Sequence, residues 1–238
     1  MTAHPMTAHP MAAHETAATP AVPAFSHAAF IRDHTELTTL PFLPECALHL
    51  ATAVTPLWEA TEATLAQIGL PPPYWAFAWV GGQAVARYVL DHPGVVAGRR
   101  VVDFAAGCGV AALAAARAGA KRVQAVDIDP FAVAAIHLNA AANGLKLMAS
   151  DHDILSESGP VAEVILAGDV CYEKPMTDRV VAWLRAQARQ GTLVLLGDPG
   201  RAYRPEEGLV AVARYAVPTT IEVENQPIRD TVIWRVLG

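Results

Sequence analysis

Positive charge, cysteine and long apolar runs are all scarce in this 238-residue chain, and each shortage narrows what it can be. No uninterrupted apolar stretch reaches the ~20 residues that span a bilayer, so neither a membrane segment nor a membrane partner is predicted. Lysine and arginine number 17 against 23 aspartates and glutamates, giving a formal net charge of −6 and a pI near 5.8. That balance argues against a nucleic-acid backbone as main partner and suits a basic protein surface better, although mild acidity also serves solubility alone. Cys46, Cys108 and Cys171 are odd in number and form no C-x-x-C pair. They are read as small apolar fillers in a reducing, cytoplasmic compartment, and Cys108 has no nearby histidine or metal partner in sequence to make it a nucleophile. Arginine is absent before Arg32, which excludes an arginine-rich transit peptide, and no apolar core of a secretory signal appears.

The first 24 residues instead hold three near copies of one unit, MTAHP, MTAHP and MAAHE, rich in Ala, Thr and Pro and without helical or strand period. Disorder is expected over 1–24. His4, His9 and His14 are read as solvated positions rather than a metal site, and Met1, Met6 and Met11 give three candidate starts. The remaining length suits one ordinary domain plus an appendage, and the 53% hydrophobic content is ample for a sheet covered on both faces.

The chemistry concentrates in RVVDFAAGCGVAALAAARAGAKRVQAVD, Arg100 to Asp127. Val101 and Val102 mark a short buried strand, and Gly107 and Gly109 let the backbone turn sharply and approach a ligand without a Cβ in the way. Val110 to Ala118 is almost all alanine and leucine, which predicts a helix closed by Gly119. Arg122 to Val126 predicts the next strand, with Asp127 at its C-terminal end, where the ligand crevice of an open α/β sheet lies and a carboxylate can accept both hydroxyls of a ribose. The turn alone admits two cofactors, because Gly107, Gly109 and Ala112 also satisfy the G-x-G-x-x-A pattern of dinucleotide sites. Asp103 favours S-adenosylmethionine (SAM), since a carboxylate there suits a cationic methionine end and would repel a pyrophosphate. The structural alternative is that Asp103 caps the turn and Asp127 caps the helix beginning at Pro130.

Around this unit, Pro56-Leu57-Trp58 opens a predicted helix through Leu65, Pro71-Pro72-Pro73 forces extended backbone, and an aromatic segment Tyr74–Trp79 precedes Gly81-Gly82 and a helix from Gln83 to Leu90. Helices are predicted over Pro130–Asn143 and Met176–Gln190, and strands over Leu147–Ala149, Val164–Ala167 and Thr192–Leu196. That alternation predicts an α/β fold with a doubly wound, mostly parallel sheet. Val210–Val217 and Thr231–Leu237 leave little room for a helix between them and predict an antiparallel hairpin at one edge, an ending that a dinucleotide domain would not have.

With these pieces in place, the chain resembles the seven-strand class I methyltransferases, and among them the electron transfer flavoprotein β-subunit lysine methyltransferase family. The resemblance covers about Pro56 to Trp234 and rests on PPPYWAFAWVGGQAVARYVLDHP, VVDFAAGCG, DIDPFAVAAIHLNAAANG, LAGDVCYEKP and GDPGRAY, in that order. It implies a Rossmann-like seven-stranded sheet over 81–238 with an antiparallel C-terminal strand, preceded by an N-terminal extension, 25–80, packed on the core. It implies SAM as cofactor, no metal, and a lysine of the flavoprotein β subunit as acceptor, in an enzyme acting as a monomer. Trp79 and Gly82 would line the methionine side of the cofactor, Asp103 and Gly107 would hold its amino-acid end, Asp127 the ribose, and Asp153 would lie near the adenine. Asp169 and Tyr172 would be the active-site D-x-x-Y pair. Two departures stand out: Ala105 replaces the first glycine of many methyltransferases, so positive φ is not expected there, and Val80 replaces a frequent proline, which is expected to loosen the loop before Gly81.

Structural alternatives accompany each residue. Trp79 and Tyr74 could be core aromatics, Asp169 a helix cap ahead of Pro175, and Tyr172 packing; Lys174 and Arg179 read as a solvated face. Asp198 and Arg201 could form a surface ion pair or contact the substrate. A carboxylate favours the ammonium form of a lysine, whose ordinary pKa is about 10.4, so Asp169 is expected to recruit and orient the amine rather than deprotonate it, with Tyr172 as hydrogen-bond or ring partner. The rival readings are a methyltransferase for another acceptor, such as a ribosomal protein or a small amine like nicotinamide, and a cofactor-binding module without catalysis.

Overall fold

A computed structural model describes residues 1, 26–52, 56–59, 72–159, 161–219 and 224–238. Residues 2–24 of the repeat tail, and most of the helix predicted from Pro56 to Leu65, lie outside them; Pro56–Glu59 (α2) is helical.

The main sheet has seven strands: β3 (Arg100–Phe104), β4 (Arg122–Val126), β5 (Met148–Ser150), β6 (Val164–Gly168), β7 (Leu193–Asp198), β8 (Leu209–Pro218) and β9 (Ile228–Val236). Their spatial order is β5-β4-β3-β6-β7-β9-β8. The first five pair in parallel, whereas β9 runs antiparallel between β7 and β8. The chain reverses its winding at β3 and β6, which opens a crevice beyond their carboxyl ends.

Alternation along each strand divides the core. Val101, Val164, Leu166, Leu195 and Ile233 face a cluster with α3 (Val80–Asp91) and α4 (Val110–Arg117). Their neighbours Val102, Phe104, Ile165, Ala167, Val194 and Leu196 face the opposite side, against Val180, Trp183 and Leu184 of α6 (Lys174–Arg189). The fifth helix, α5 (Pro130–Ala142), starts where Asp129 caps it by accepting from the Phe131 N–H at 2.8 Å, with proline in its first turn.

The sequence reading missed a two-stranded antiparallel hairpin, β1 (Glu36–Leu40) with β2 (Leu43–Leu50), after a short helix α1 (His27–His34). Leu43, Cys46 and Leu48 of the hairpin join the main core cluster. Two amides, one within α5 and one capping its end, hold its backbone: Asn139 Oδ1 accepts from His49 N–H at 2.7 Å, and Asn143 accepts from Ala47 N–H at 3.0 Å while donating to Ala47 O at 2.6 Å.

Helix α3 begins three residues before the predicted Gln83, carrying Gly81 and Gly82 in its first turn. The reason is close backbone approach. A Cβ on Gly81 would stand 2.4 Å from Gly197 O, one on Gly168 2.4 Å from Gly82 N, and one on Gly197 2.2 Å from Gly81 O. These glycines let the helix rest directly on the ends of β6 and β7, and the contact outweighs their weak helix propensity. Val80 does not loosen this entry: it is 1% exposed and occupies the first helical position. Among the described residues no helix is long and apolar enough to cross a membrane.

Gly197→Ala is expected to cost at least ~3 kcal/mol, the upper end of overpacking penalties, because the new Cβ would fall on the main chain of Gly81 as well as on the Val85 side chain. Gly94→Ala, where nothing lies within 4 Å of the new Cβ, should change stability by less than ~0.5 kcal/mol. Urea unfolding of the two variants measures the contrast.

Candidate active site

The turn after β3 adopts the shape that its glycines allow, with φ of +51° at Gly107 and +77° at Gly109. Ala105 corrects the expectation made for it: its φ is +51°, in the left-handed region. Ala106 N–H donates to Val126 O at 3.1 Å, tying the chain to β4 and obliging it to double back one residue earlier. A methyl is the smallest side chain that can bear this, at a cost of roughly 1–2 kcal/mol.

Asp127, just past β4, clamps the turn. Its Oδ2 accepts from Gly107 N–H at 2.8 Å and its Oδ1 from Asp129 N–H at 3.0 Å. A carboxylate has about four lone-pair positions, so two remain for the hydroxyls of a diol. The cap of α5 is Asp129, so the structural alternative for Asp127 does not describe its position.

Asp103 lies inside β3, 3% exposed, and its Oδ2 accepts from Ala112 N–H at 2.8 Å, capping α4 from the strand behind it. Burial pushes its carboxyl up to about 8, against that one backbone hydrogen bond, with the charge of Asp127 adding to the rise. The free protein therefore holds a neutral acid at pH 7, poised to ionise when a cation arrives. Two carboxyl groups and a glycine turn fit the amino-acid and ribose ends of SAM. Asp153, in the loop after β5, caps a short turn by accepting from Leu155 N–H at 3.0 Å and stands 3.5 Å from Arg179 on the surface.

The second half of the site lies beyond β6 and β7. Asp169 has φ of +57° and is 7% exposed. Its Oδ2 accepts from Gly81 N–H at the start of α3, and its Oδ1 accepts from Arg201 Nε at 2.7 Å. The other edge of the Arg201 fork donates to Glu224, at 2.6 Å to Oε1 and 3.1 Å to Oε2. Burial raises the Asp169 carboxyl to about 6, while Arg201 and the Gly81 N–H pull it down.

This geometry changes two expectations. The Asp169 carboxylate is already ion-paired, so an incoming amine does not find it open. Asp198 and Arg201 form no side-chain pair: Asp198 accepts from the backbone N–H groups of Gly200 and Arg201 at 2.7 and 3.0 Å and sits 3.5 Å from Arg204. Glu224 carried no sequence signal, since no recognisable pattern surrounds it.

Tyr172 and Tyr74 are 45% and 46% exposed, with ring centroids 5.9 Å apart. Tyr74 is therefore not a core residue. Trp79 completes the group, 6.2 Å from Tyr74, donating its indole N–H to Tyr74 O at 3.0 Å with the Arg201 guanidinium 6.0 Å over its ring. Gly82, next to the seam, has Val110 as its nearest neighbour in the direction of a Cβ, at 3.4 Å. Lys174 is exposed at the start of α6. The structure thus gathers Asp103, Gly107 and Asp127 on one side and Trp79, Asp169 and Tyr172 on the other, with Asp153 on the surface loop after β5.

Residues 87–188 match the family model of ribosomal protein L11 methyltransferase. The chain is 39% identical over 213 residues to the electron transfer flavoprotein beta subunit lysine methyltransferase of Xenopus laevis, covering 87% of this chain and 85% of that protein. It is 35% identical over 213 residues to the Homo sapiens protein of the same name, covering 87% and 80%. Among solved structures it is similar to magnesium protoporphyrin IX methyltransferase from Synechocystis PCC 6803 with bound SAM, at 21% identity and a TM-score of 0.50, covering 67% of this chain and 81% of that one.

Because Asp103 is protonated in the free protein below about pH 8, a cationic ligand that favours the carboxylate must release its proton. SAM affinity is therefore expected to rise from pH 6 to 7.5. Calorimetry at pH 7 in two buffers of different ionisation enthalpy should show proton release that Asp103→Asn removes.

Proposed function

The chain belongs to the electron transfer flavoprotein β-subunit lysine methyltransferase family, and we propose that it transfers a methyl group from SAM to a lysine side chain of that flavoprotein subunit. The observation that carries this reading is the meeting, at the carboxyl ends of β3, β4 and β6, of a carboxylate-lined glycine turn with an aromatic mouth formed by Tyr74, Trp79 and Tyr172.

When bound, SAM supplies an electrophilic methyl on a sulfonium. The chain's own task is to hold, aim and dry. Asp103 and Gly107 would hold the cationic amino-acid end, Asp127 the ribose, Trp79 and Gly82 would border the methionine side, and Asp153 would lie near the adenine. The acceptor amine must be neutral to attack, and its ordinary pKa of about 10.4 makes desolvation the useful lever. The aromatic mouth supplies apolar surface for that and places no carboxylate against the amine, while the attraction of its π faces for an ammonium serves to recruit the charged form. Tyr172 touches the amine by ring or hydroxyl, and Asp169 sets the turn that carries it. We read the enzyme as a cytoplasmic monomer with its catalytic unit over 81–238 and the 25–80 extension packed on it; the free, buried cysteines 46, 108 and 171 suit a reducing compartment.

Incubation with methyl-labelled SAM and the purified flavoprotein β subunit is expected to label that subunit on lysine. Labelling of a ribosomal protein or of nicotinamide instead would overturn the acceptor assignment. Asp127→Ala, which removes two hydrogen-bond acceptors, should weaken SAM binding by about tenfold or more, roughly 1.4 kcal/mol, by calorimetry. Tyr74→Ala should raise KM for the protein acceptor while leaving SAM affinity within about twofold, since its side chain belongs to the mouth.

A further inference from the structure

Asp169, Arg201 and Glu224 come from three separate segments: the end of β6, the β7–β8 connection and the stretch before β9. Asp169 and Glu224 are each 7% exposed, and the Arg201 side chain between them is 19% exposed. One planar fork serves both carboxylates, donating through Nε to Asp169 and through Nη1 and Nη2 to Glu224. A guanidinium is suited to this and an ammonium is not, because its donors lie fixed in one plane. On its far side the Asp169 carboxylate accepts from Gly81 N–H, where the positive end of α3 points at it.

We infer that Arg201, held by Glu224, is a positioning residue of this site: it keeps Asp169 an anion bound across the start of α3, and so fixes the left-handed turn from which Tyr172 reaches the mouth. The inference rests on the lysine-methyltransferase reading for its consequence, but its electrostatics do not depend on which acceptor is bound. Asp169 is buried deeply enough that it would otherwise favour the neutral acid, and Arg201 is the cation that opposes this. The other charged or titratable groups close by are Glu224, which works against ionisation of Asp169, Arg229 at 3.8 Å from Glu224, Asp198 paired with Arg204, and the buried Cys171 thiol. A protonated Asp169 would lose the guanidinium, and its carboxyl would keep only the Gly81 N–H of the two partners that hold it.

The two partners act on Asp169 with opposite sign, which separates this role from a merely structural one. Carboxyl carbon-13 NMR of aspartate-labelled enzyme, with D169N to assign the resonance, reads the titration without any acceptor. Log kcat/KM against pH, with the flavoprotein β subunit as acceptor, reads its effect on methyl transfer. The wild-type midpoint is expected near 6. R201Q should move it up by about one unit or more, the usual effect of removing an opposite charge at this range. E224Q keeps the shape and removes a negative charge, so it should move the midpoint down. R201K, which keeps the charge and loses the fork, should leave the midpoint nearer wild type than R201Q does while lowering kcat. The break in the rate profile should follow the NMR midpoint in each variant. Equal midpoints in all variants, shifts of the same direction in R201Q and E224Q, or a rate profile that ignores the NMR midpoint would each overturn the inference. Where R201Q does not fold, the direction of the E224Q shift decides. Absence of labelling on the flavoprotein subunit by wild type would sink the acceptor reading and leave the NMR result standing.

Discussion

Backbone packed directly on backbone fixes the centre of this molecule. Helix α3 reaches the ends of β6 and β7 with no side chain between them, because Gly81, Gly168 and Gly197 each stand where a Cβ would overlap the opposite main chain. Everything on the acceptor side is measured from that seam. It brings the Gly81 N–H onto the Asp169 carboxylate, and Asp169 N–H in turn donates to Gly197 O at 3.0 Å. The left-handed turn at Asp169, the direction of Tyr172 and the place where Arg201 finds its partner all follow from one close contact. A larger residue at any of the three would lift the helix and open the site together.

Two of the buried carboxyls at the strand ends, Asp103 and Asp169, show how environment assigns roles. Asp103 and Asp169 both sit in the interior and each accepts one backbone N–H from a helix start. Asp103 has no cation, and burial raises it to about 8; Asp169 has Arg201 and rises only to about 6. The first is a neutral acid at pH 7 and the second mostly an anion. A pair of acids pushed apart in this way divides the work: one waits for a charged ligand, the other is already engaged. Retaining a buried ion pair is rarely a gain in stability over apolar packing, so the Arg201 network is better understood through the geometry it specifies.

Much of the fold was legible because the periodicity was strong. The β3-turn-α4-β4 unit, α5, β6, β7 and the closing hairpin lie within two residues or so of where alternation and glycine placed them. The misses share a cause, which is tertiary contact overriding local preference. Gly81-Gly82 looked like a loop because the contact that requires glycine at 81 is with strand ends more than 80 residues away. The β1–β2 hairpin was missed because part of what holds its backbone, the amides of Asn139 and Asn143, lies far along the chain. Ala105 was misjudged because its left-handed backbone is imposed by pairing to β4 rather than by its own side chain. In the candidate site, spacing placed Asp103, Gly107 and Asp127 around the turn after β3, where the structure has them. Arg201 was visible but not its partner, and Glu224 was invisible, because a buried ion network has no sequence period.

The site is divided between two kinds of chain. Asp103, Gly107, Asp127 and the D-x-x-Y turn lie in the part shared with the ribosomal protein L11 methyltransferase family, whereas Tyr74, Trp79, Gly81, Arg201 and Glu224 all lie outside it. The segment carrying Tyr74 and Trp79 is anchored at its middle. Trp75 and Ala76 are buried, Trp75 stacks on Phe131 of α5 at 5.7 Å, and Ala76 O accepts from Ala51 N–H at 2.9 Å, just past β2. With its middle held to the interior, the flanking aromatics are left at the mouth. The hairpin that precedes this segment therefore does more than cover the sheet: through Ala51 and the α5 amides it fixes the height of the mouth over the glycine turn. Substituting within the shared part should alter how the cofactor is held, whereas changes to the anchoring of 72–80 should alter which side chain can reach it. On the function proposed above, acceptor choice would draw on the chain's extension and its C-terminal connections together with Tyr172, laid against a cofactor cradle that lies in the segment matched by the wider family.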